Sequence, residues 1–335
     1  LNQSAGPIVQ TRYDSPHNSS DGFEMDWDVR LEMDRGSFNA GILAENVFGS
    51  VSLIGRYDGK STQCNGSIAI DSMHWKEMQI TDIRGPIWIE DERVGVGSMA
   101  RPDHEATTPV SLTGNLFGGT IRLDGQCWNE LEKQFFVQAS VSNLDVKKAG
   151  QQGAPSLNKV GGTASLAFRV GGGETTESMR GEGVFQLREA NIYELPVVLR
   201  MLKMMKTQKR DRSAFDASNA DFTIQGNSIN IAKVELLGDA ISLVGKGRMT
   251  MDNEVDLDFY TVAGRNRFHI PILSDLAKAS SQQILWLRVD GTVENPQVRS
   301  EILPGLNESV RQLFQTAEQP PPRLRHAQNQ DTRWR

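Results

Sequence analysis

The sequence predicts a mainly β protein whose strands each carry one apolar and one wet face. Three observations predict it. Short segments alternate apolar and polar residues, the period of two that sends successive side chains to opposite faces of a strand. Between them lie Gly, Asn and Asp, which supply the positive φ angles that tight hairpins need. Only 38% of the 335 residues are hydrophobic and mean hydropathy is −0.42, too little for a thick core covered on both sides. The 7% aromatic share and the recurring periodicity argue against wholesale disorder.

Residues 1–22, rich in Gln, Ser, Asn, Asp, Pro and Gly, show no periodicity and are expected to be a disordered lead-in. Structure is expected from Asp26. In Trp27-Asp28-Val29-Arg30-Leu31-Glu32-Met33-Asp34 every odd residue is apolar and every even one charged, a half-buried strand. The pattern returns at Phe48–Leu53, Ser67–Asp71, Ile87–Ile89, Val94–Val96, Thr120–Gly125, Phe135–Val141 and Leu166–Val170. A weak repeat (apolar, polar, apolar, polar, Gly) ends at Gly125, Gly226 and Gly291. Each copy reads as a strand end running into a turn, and no regular period marks a propeller or solenoid.

The second half adds three helical pieces. Leu195, Val198, Leu199 and Leu202 have i, i+3, i+4, i+7 spacing, with Pro196 tolerated in a first turn. Residues 273–281 are expected to form a short helix. Leu306, Val310, Leu313 and Phe314 mark a third, with Asn307 as its N-cap. Residues 317–335, opening on a proline run, are expected to be a disordered tail. The helix over 195–205 is apolar nearly all round, interrupted only by Arg200 and Lys203, whereas a helix on one side of a sheet needs a single stripe. Two readings fit: burial between a curved sheet and other segments, or a plug lining an apolar groove or touching lipid. Lys206, Lys209, Arg210 and Arg212 follow, either facing anionic headgroups or forming a solvated helix end.

The chemistry-bearing patterns dissolve one by one. Gly59-Lys60-Ser61-Thr62 resembles the end of a phosphate loop, but the position that needs the first Gly is Ile54 and an alternating strand follows, so a hairpin turn fits better. Gly171-Gly172-Gly173 lacks a following Lys and helix and reads as a flexible turn. Gly181/Gly183 and Gly245/Gly247 suggest bulges or close backbone approach in strands. The five histidines have no ligand spacing, so no metal and no cofactor is expected. No Gly-x-Ser-x-Gly elbow occurs, and the carboxylates alternate as wet-face residues rather than as a paired acid and base. No catalytic residue is therefore expected, and the chain reads as a non-enzyme.

Cys64 and Cys127 are either two unpaired thiols or one incidental bridge. A net charge of −6 spread along the chain speaks against nucleic-acid binding, which needs a basic stripe. No run reaches the roughly 18–20 apolar residues of a membrane span. The chain opens at Leu1 and is expected to be a fragment, with an anchor or targeting segment upstream.

Taken in order, several stretches carry a family likeness. They are Gly181-Glu-Gly-Val-Phe-Gln-Leu187, the Leu-Pro-containing apolar helix, Asp221-Phe-Thr-Ile-Gln-Gly226, Val234–Gly247, Met251–Asp258 and Val289-Asp-Gly-Thr-Val-Glu-Asn-Pro-Gln-Val298. Together they resemble the C-terminal region of the AsmA family, over about 160–315. Gly114-Asn-Leu-Phe-Gly-Gly-Thr-Ile121 is similar to a strand-turn-strand element of the same family. The resemblance implies an elongated, strongly twisted antiparallel sheet curled into an apolar groove, with a few short helices capping it. It divides the chain into a lead-in (1–22), a β-groove segment (23–172), an AsmA-like C-terminal module (173–316) and a tail (317–335). It implies an envelope protein of double-membraned bacteria, in the periplasm and anchored to the inner membrane, with a role in phospholipid transport or outer-membrane assembly. It supplies no catalytic residue.

The strands support such a surface on their own. Seven residues span roughly 23 Å, and a curled row of strands gives a trough in which each buried methylene gains about 0.8 kcal/mol. The expected lining is Phe222, Ile224, Ile229, Ile231, Leu236, Ile241 and Leu243, with Leu195, Val198, Leu199 and Leu202 as the capping helix. The expected partners are phospholipid or another acyl-chain ligand, bacterial membranes and other envelope proteins. The rival reading is a structural module that packs the same face on a partner without lipid. A glycan hydrolase on a β scaffold is a third.

Overall fold

The computed structural model describes residues 8–13, 23–39, 43–97, 111–128, 134–152, 157–192, 195, 198, 200–201, 215–238, 241–263 and 283–304. The strands are β1 (Ile8–Tyr13), β2 (Met25–Asn39), β3 (Leu43–Tyr57), β4 (Thr62–Trp75), β5 (Met78–Glu90), β6 (Arg93–Val96), β7 (Leu112–Leu116), β8 (Gly119–Trp128) and β9 (Gln134–Asp145). After the helix α1 (Val146–Gln152) come β10 (Thr163–Gly172), β11 (Arg180–Arg188), β12 (Ala217–Gln225), β13 (Ser228–Leu237), β14 (Ile241–Thr250), β15 (Glu254–Ala263), β16 (Gln283–Thr292) and β17 (Pro296–Pro304).

All seventeen strands belong to one antiparallel sheet. It is a meander in which each strand pairs with its neighbour in sequence, from β1–β2 through β16–β17. The one departure is at β6 and β7. Both lie between β5 and β8, so two short strands share one position and the sheet is sixteen strands across. At about 4.8 Å per strand its contour is roughly 70 Å.

The fold class agrees with the sequence: mainly β, with apolar-polar alternation setting the register. Two expectations are corrected. Ile8–Tyr13 lies within the stretch expected to be without order, yet pairs along its length with Trp27–Glu32; a strand of six residues beside an open edge gains ladder hydrogen bonds that composition does not register. Gly125 is not at a strand end. It sits inside β8 opposite Val137, whereas Gly226 and Gly291 do lie at a turn and at a strand end. The helix α1 carries no strong 3.6 periodicity and was not expected; Asp145 caps it by accepting from the Lys148 amide at 3.1 Å, and Val146 and Ala149 are buried. The expected helices at 273–281 and 306–314 and the tail at 317–335 lie outside the described residues.

All the described strands belong to this one sheet, so among the described residues there is no separate second sheet. The long strands β2–β5 are creased instead. Register shifts align across β2–β3, β3–β4 and β5–β7, and Arg35, Asn46 and Asp82 adopt φ near +55° there, the signature of bulges that bend and twist a strand. On the apolar side of the crease Ala44, Val47, Ile70 and Ile83 are buried, flanked by Met33, Val51, Ile68 and Leu112. The cluster is built from β2–β5 and β7 alone, so this burial comes from the sheet itself and not from a described helix.

Candidate functional site

Strand register assigns every paired strand residue to a face. Across β2, β3 and β4 the rows Val29–Leu53–Gly66 and Leu31–Val51–Ile68 stand together. They continue through Ile87 and Val96 into Leu123, Ala139, Phe168 and Gly183. Phe222, Ile231, Gly247, Leu257, Val289 and Val298 complete the face to β17. Bulges at Asn143 and near Ala232 change the parity of β9 and β13 without breaking the row. One apolar face thus runs unbroken through β2–β17.

The other face is wet. Directly opposed Arg169 and Glu182 pair at 2.6 Å, Arg288 meets Asp256 at 2.7 Å, Arg84 meets Asp71 at 2.6 Å, and Arg299 pairs with Asp290. Such exposed pairs contribute little stability each; they keep this side solvated and its registry fixed. Trp88, over Gly95, and Ser242 and Val244 in β14 are buried on this side.

Glycine is partitioned as sharply. Gly49, Gly55, Gly66, Gly85, Gly125, Gly181, Gly183, Gly245 and Gly247 all stand on the apolar face, while Gly95 and Gly171 stand on the wet one. The reason is close approach. A Cβ on Gly66 would lie 1.9 Å from the Ser52 carbonyl oxygen, and one on Gly183 would lie 2.4 Å from the Phe222 ring. The Trp27 ring covers Gly55 and Phe259 covers Gly245 in the same way. A concave face has less room per residue than the convex one, and absent side chains let the sheet bend without collision.

The trough is closed at one end. Ile192, Val198, Met201 and Phe215 form a single buried cluster with Leu187, Leu236, Leu243, Phe259, Leu287 and Val289. Residues 198, 200 and 201 are helical. Arg200 fixes this segment to the β16–β17 turn by donating to the Asn295 side chain at 3.0 Å.

Of the expected lining, Phe222, Ile224, Ile229 and Ile231 stand on the apolar face and are half-buried. Leu236 and Leu243 share that face but are 7% and 0% exposed in the capped cluster. They are core beneath the helical segment, because the bulge in β13 carries its upper half under the cap. The Ile241 backbone is in β14 opposite Ala263, and its side chain lies outside the described residues. Val198 is buried in the cluster and Leu195 packs against it; Leu199 and Leu202 lie outside the described residues. Sequence reasoning confined the lining to β12–β14. Val29, Leu31, Leu53, Ile68 and Ile87 belong to the same surface, and their alternation was the available signal.

The two long edges differ in charge. At the first edge, where β3 turns into β4, the described connecting residues carry Glu24, Asp58, Asp91, Glu92, Glu174, Glu177, Asp252, Glu294 and Lys60, and the strand-end Arg56, Arg93 and Arg180 stand beside them, Arg56 paired with Glu24 at 3.1 Å. At the second, where β4 turns into β5, they carry Lys76, Lys147, Lys148 and Lys159 against Glu77, Glu189 and Asp216, while Arg200 reaches the β16–β17 turn on the first edge. In the β3–β4 turn the Asp58 carboxylate accepts from the Ser61 amide at 2.8 Å and the Lys60 amide at 3.0 Å, and these bonds hold its pKa below the ordinary carboxylate value. The Gly59–Thr62 stretch is this hairpin turn. Cys64 and Cys127 do not form a disulfide. Their rows are three strands apart, too far for one. Among the described residues no cluster of His, Cys, Asp or Glu is placed to hold a metal ion, and no helix is long and apolar enough to cross a membrane.

Compared with family models, curated proteins and solved structures, the chain matches none.

Proposed function

We propose that this chain carries phospholipid, its apolar face holding acyl chains while they pass between the membranes of a bacterial envelope, and that it supports outer-membrane biogenesis from the periplasm. One observation supports the reading above the others: an apolar face continuous across β2–β17 of a single sheet. Roughly 70 Å of contour and strands of about 30 Å give a face on the order of 2,000 Å². Outside the capped cluster its residues, Val29, Leu31, Leu53, Phe222 and Ile231 among them, are half-buried, and an acyl chain lying over them would cover what they still expose. The chains of one bilayer leaflet are about 15 Å long, half the hydrocarbon core, and fit within the width of the trough.

Native mass spectrometry of gently purified protein tests this. Co-purifying phospholipid is the expected result. A second reading, a module that packs this face on a protein partner, draws support from the chain's own capping of Leu236 and Leu243. Lipid-free protein whose cellular function survives Ile224→Asp and Ile231→Asp together supports the second reading and overturns the first.

A further inference from the structure

We infer that the second-edge ends of β2–β5 form a membrane-docking tip, whose β2–β3 and β4–β5 turns sink into the interface of a phospholipid bilayer. This goes beyond the lipid-carrying reading and gives the trough a place to meet a membrane. Strands β2–β5 run for 13–15 residues, the other strands for 4–12. Among the described residues their ends stand clear of both neighbours. On one side β1 reaches no further than Glu32. On the other, β7 ends at Leu116, level with Ile80, and the β4–β5 turn stands about two residues, roughly 7 Å, further out. Seven large hydrophobic side chains are exposed among the described residues, and three belong to this one hairpin: Phe38 at 45%, Leu43 at 52% and Phe48 at 36%. Trp75 and Met78, paired across the next hairpin, are half-buried. Between Arg35 and Glu45 the sequence carries no charge.

Register decides what can cover this tip. Phe38 and Trp75 both pair with Ala44, which is buried in the crease cluster, so they carry the apolar face out to the tip. Leu43, next to Ala44, and Phe48, next to Val47 of the same cluster, stand on the opposite face. The tip is thus apolar on both faces. A partner packed on a sheet covers one of its faces, and a few side chains at two turns fall short of the about 800 Å² that each partner brings to a stable interface. A bilayer surrounds both faces at once. The polar groups suit its interface. The Lys76 ammonium lies 6.0 Å from the centre of the Trp75 ring, a pair that places the indole at headgroup level and the ammonium among the phosphates. Asp34 and Arg35 pair with each other at 3.7 Å, Glu45 and Glu77 are exposed, and His74 stands opposite Glu45. Lys76 and Arg35 against three carboxylates give no positive excess to draw anionic lipid, so the apolar side chains carry the docking.

The test uses the full chain and vesicles of dioleoylphosphatidylcholine. Cys127→Ser removes the exposed thiol and Cys64 is buried, so Leu43→Cys or Met251→Cys in that background carries a single nitrobenzoxadiazole probe. Met251, 40% exposed, lies in the β14–β15 turn on the first edge. With vesicles, the probe at 43 is expected to shift to the blue and to be quenched by doxyl-labelled lipid, and the probe at 251 to do neither. The response is expected to persist in 0.5 M NaCl, which screens adsorption by surface charge. Phe38→Ser with Leu43→Ser is expected to weaken vesicle co-flotation at least tenfold with the circular dichroism spectrum unchanged, and Met251→Ser to leave it as it is. Absence of vesicle binding, loss of binding in salt, equal responses at 43 and 251, or undiminished flotation of the double serine variant overturns the docking inference. A blue shift at 43 that grows with protein concentration in the absence of vesicles puts a second copy on the tip and overturns it too. Native mass spectrometry of the same preparations judges the trough separately: a chain that docks yet holds no phospholipid overturns the trough reading alone, and one that holds phospholipid without docking overturns the tip alone.

Discussion

Ile231 and Leu243 stand on one face of adjacent strands, yet they are expected to respond to substitution in opposite ways. Leu243 is fully buried in the capped cluster. Leu243→Ala leaves a cavity that the surrounding Val, Leu and Phe side chains fill only in part, at a cost of about 3–4 kcal/mol. Ile231, opposite Phe222 and Gly247, is half-buried on the open trough. Replacing it with Asp forfeits about half the burial of an isoleucine, about 1 kcal/mol of stability. Its effect on a bound acyl chain is larger. A carboxylate there excludes two or three methylenes, about 2 kcal/mol, or roughly 30-fold in affinity. Urea unfolding followed by circular dichroism, beside binding of a pyrene-labelled phosphatidylcholine, separates the two quantities. Leu243→Ala is expected to lower stability most, and Ile231→Asp to lower affinity most. If Ile231→Asp unfolds the protein as strongly as Leu243→Ala, the open face is core in disguise. If it leaves lipid affinity unchanged, acyl chains do not lie over β13.

Gly66→Ala is expected to cost more than about 3 kcal/mol, since its Cβ meets a backbone oxygen that moves only by parting β3 from β4; Gly118→Ala, with only the flexible Lys148 ammonium nearby at 3.2 Å and a φ of +80°, is expected to cost about 1 kcal/mol. Urea midpoints of the two variants give the comparison. The Asp58 carboxyl, held below its ordinary pKa by amide donors, contributes stability that is present above the unfolded carboxylate value and is lost as pH falls through the folded one. A carbon-detected NMR titration is expected to place its midpoint below the ordinary aspartate value; a midpoint at that value refutes the turn geometry.

The strands were legible in the sequence because alternation is a local signal: Trp27–Asp34 states its own two faces, and the register places them as the alternation demands. The hairpin at Gly59–Thr62 was legible for the same reason. What the sequence concealed depends on distant neighbours. Leu236 and Leu243 alternate like Ile229 and Ile231, and only the passage of the 198–201 segment over them makes them core. The glycines of β11 and β14 announced close approach but not its partners, Phe222 and Phe259. The crease through Arg35, Asn46 and Asp82 was hidden because bulges at ordinary residues leave no compositional mark. The charge of the two edges became visible only once the meander sorted alternate turns to opposite sides.

The meander also governs how such a sheet comes into being and how long it becomes. With pairing almost wholly between neighbours in sequence, most contacts close over a short turn, the longer connections before β10, β12 and β16 excepted, and zippering can start from any hairpin. Energetics of this kind are nearly one-dimensional, each hairpin stabilised by the two beside it, as in solenoid repeats. Reach then becomes a counting matter. Adding or deleting a hairpin changes the span by two strand widths, about 10 Å, while the residues that close the end under Val198 and Met201 stay as they are. The fold thus serves as a ruler whose length is written in the number of its turns.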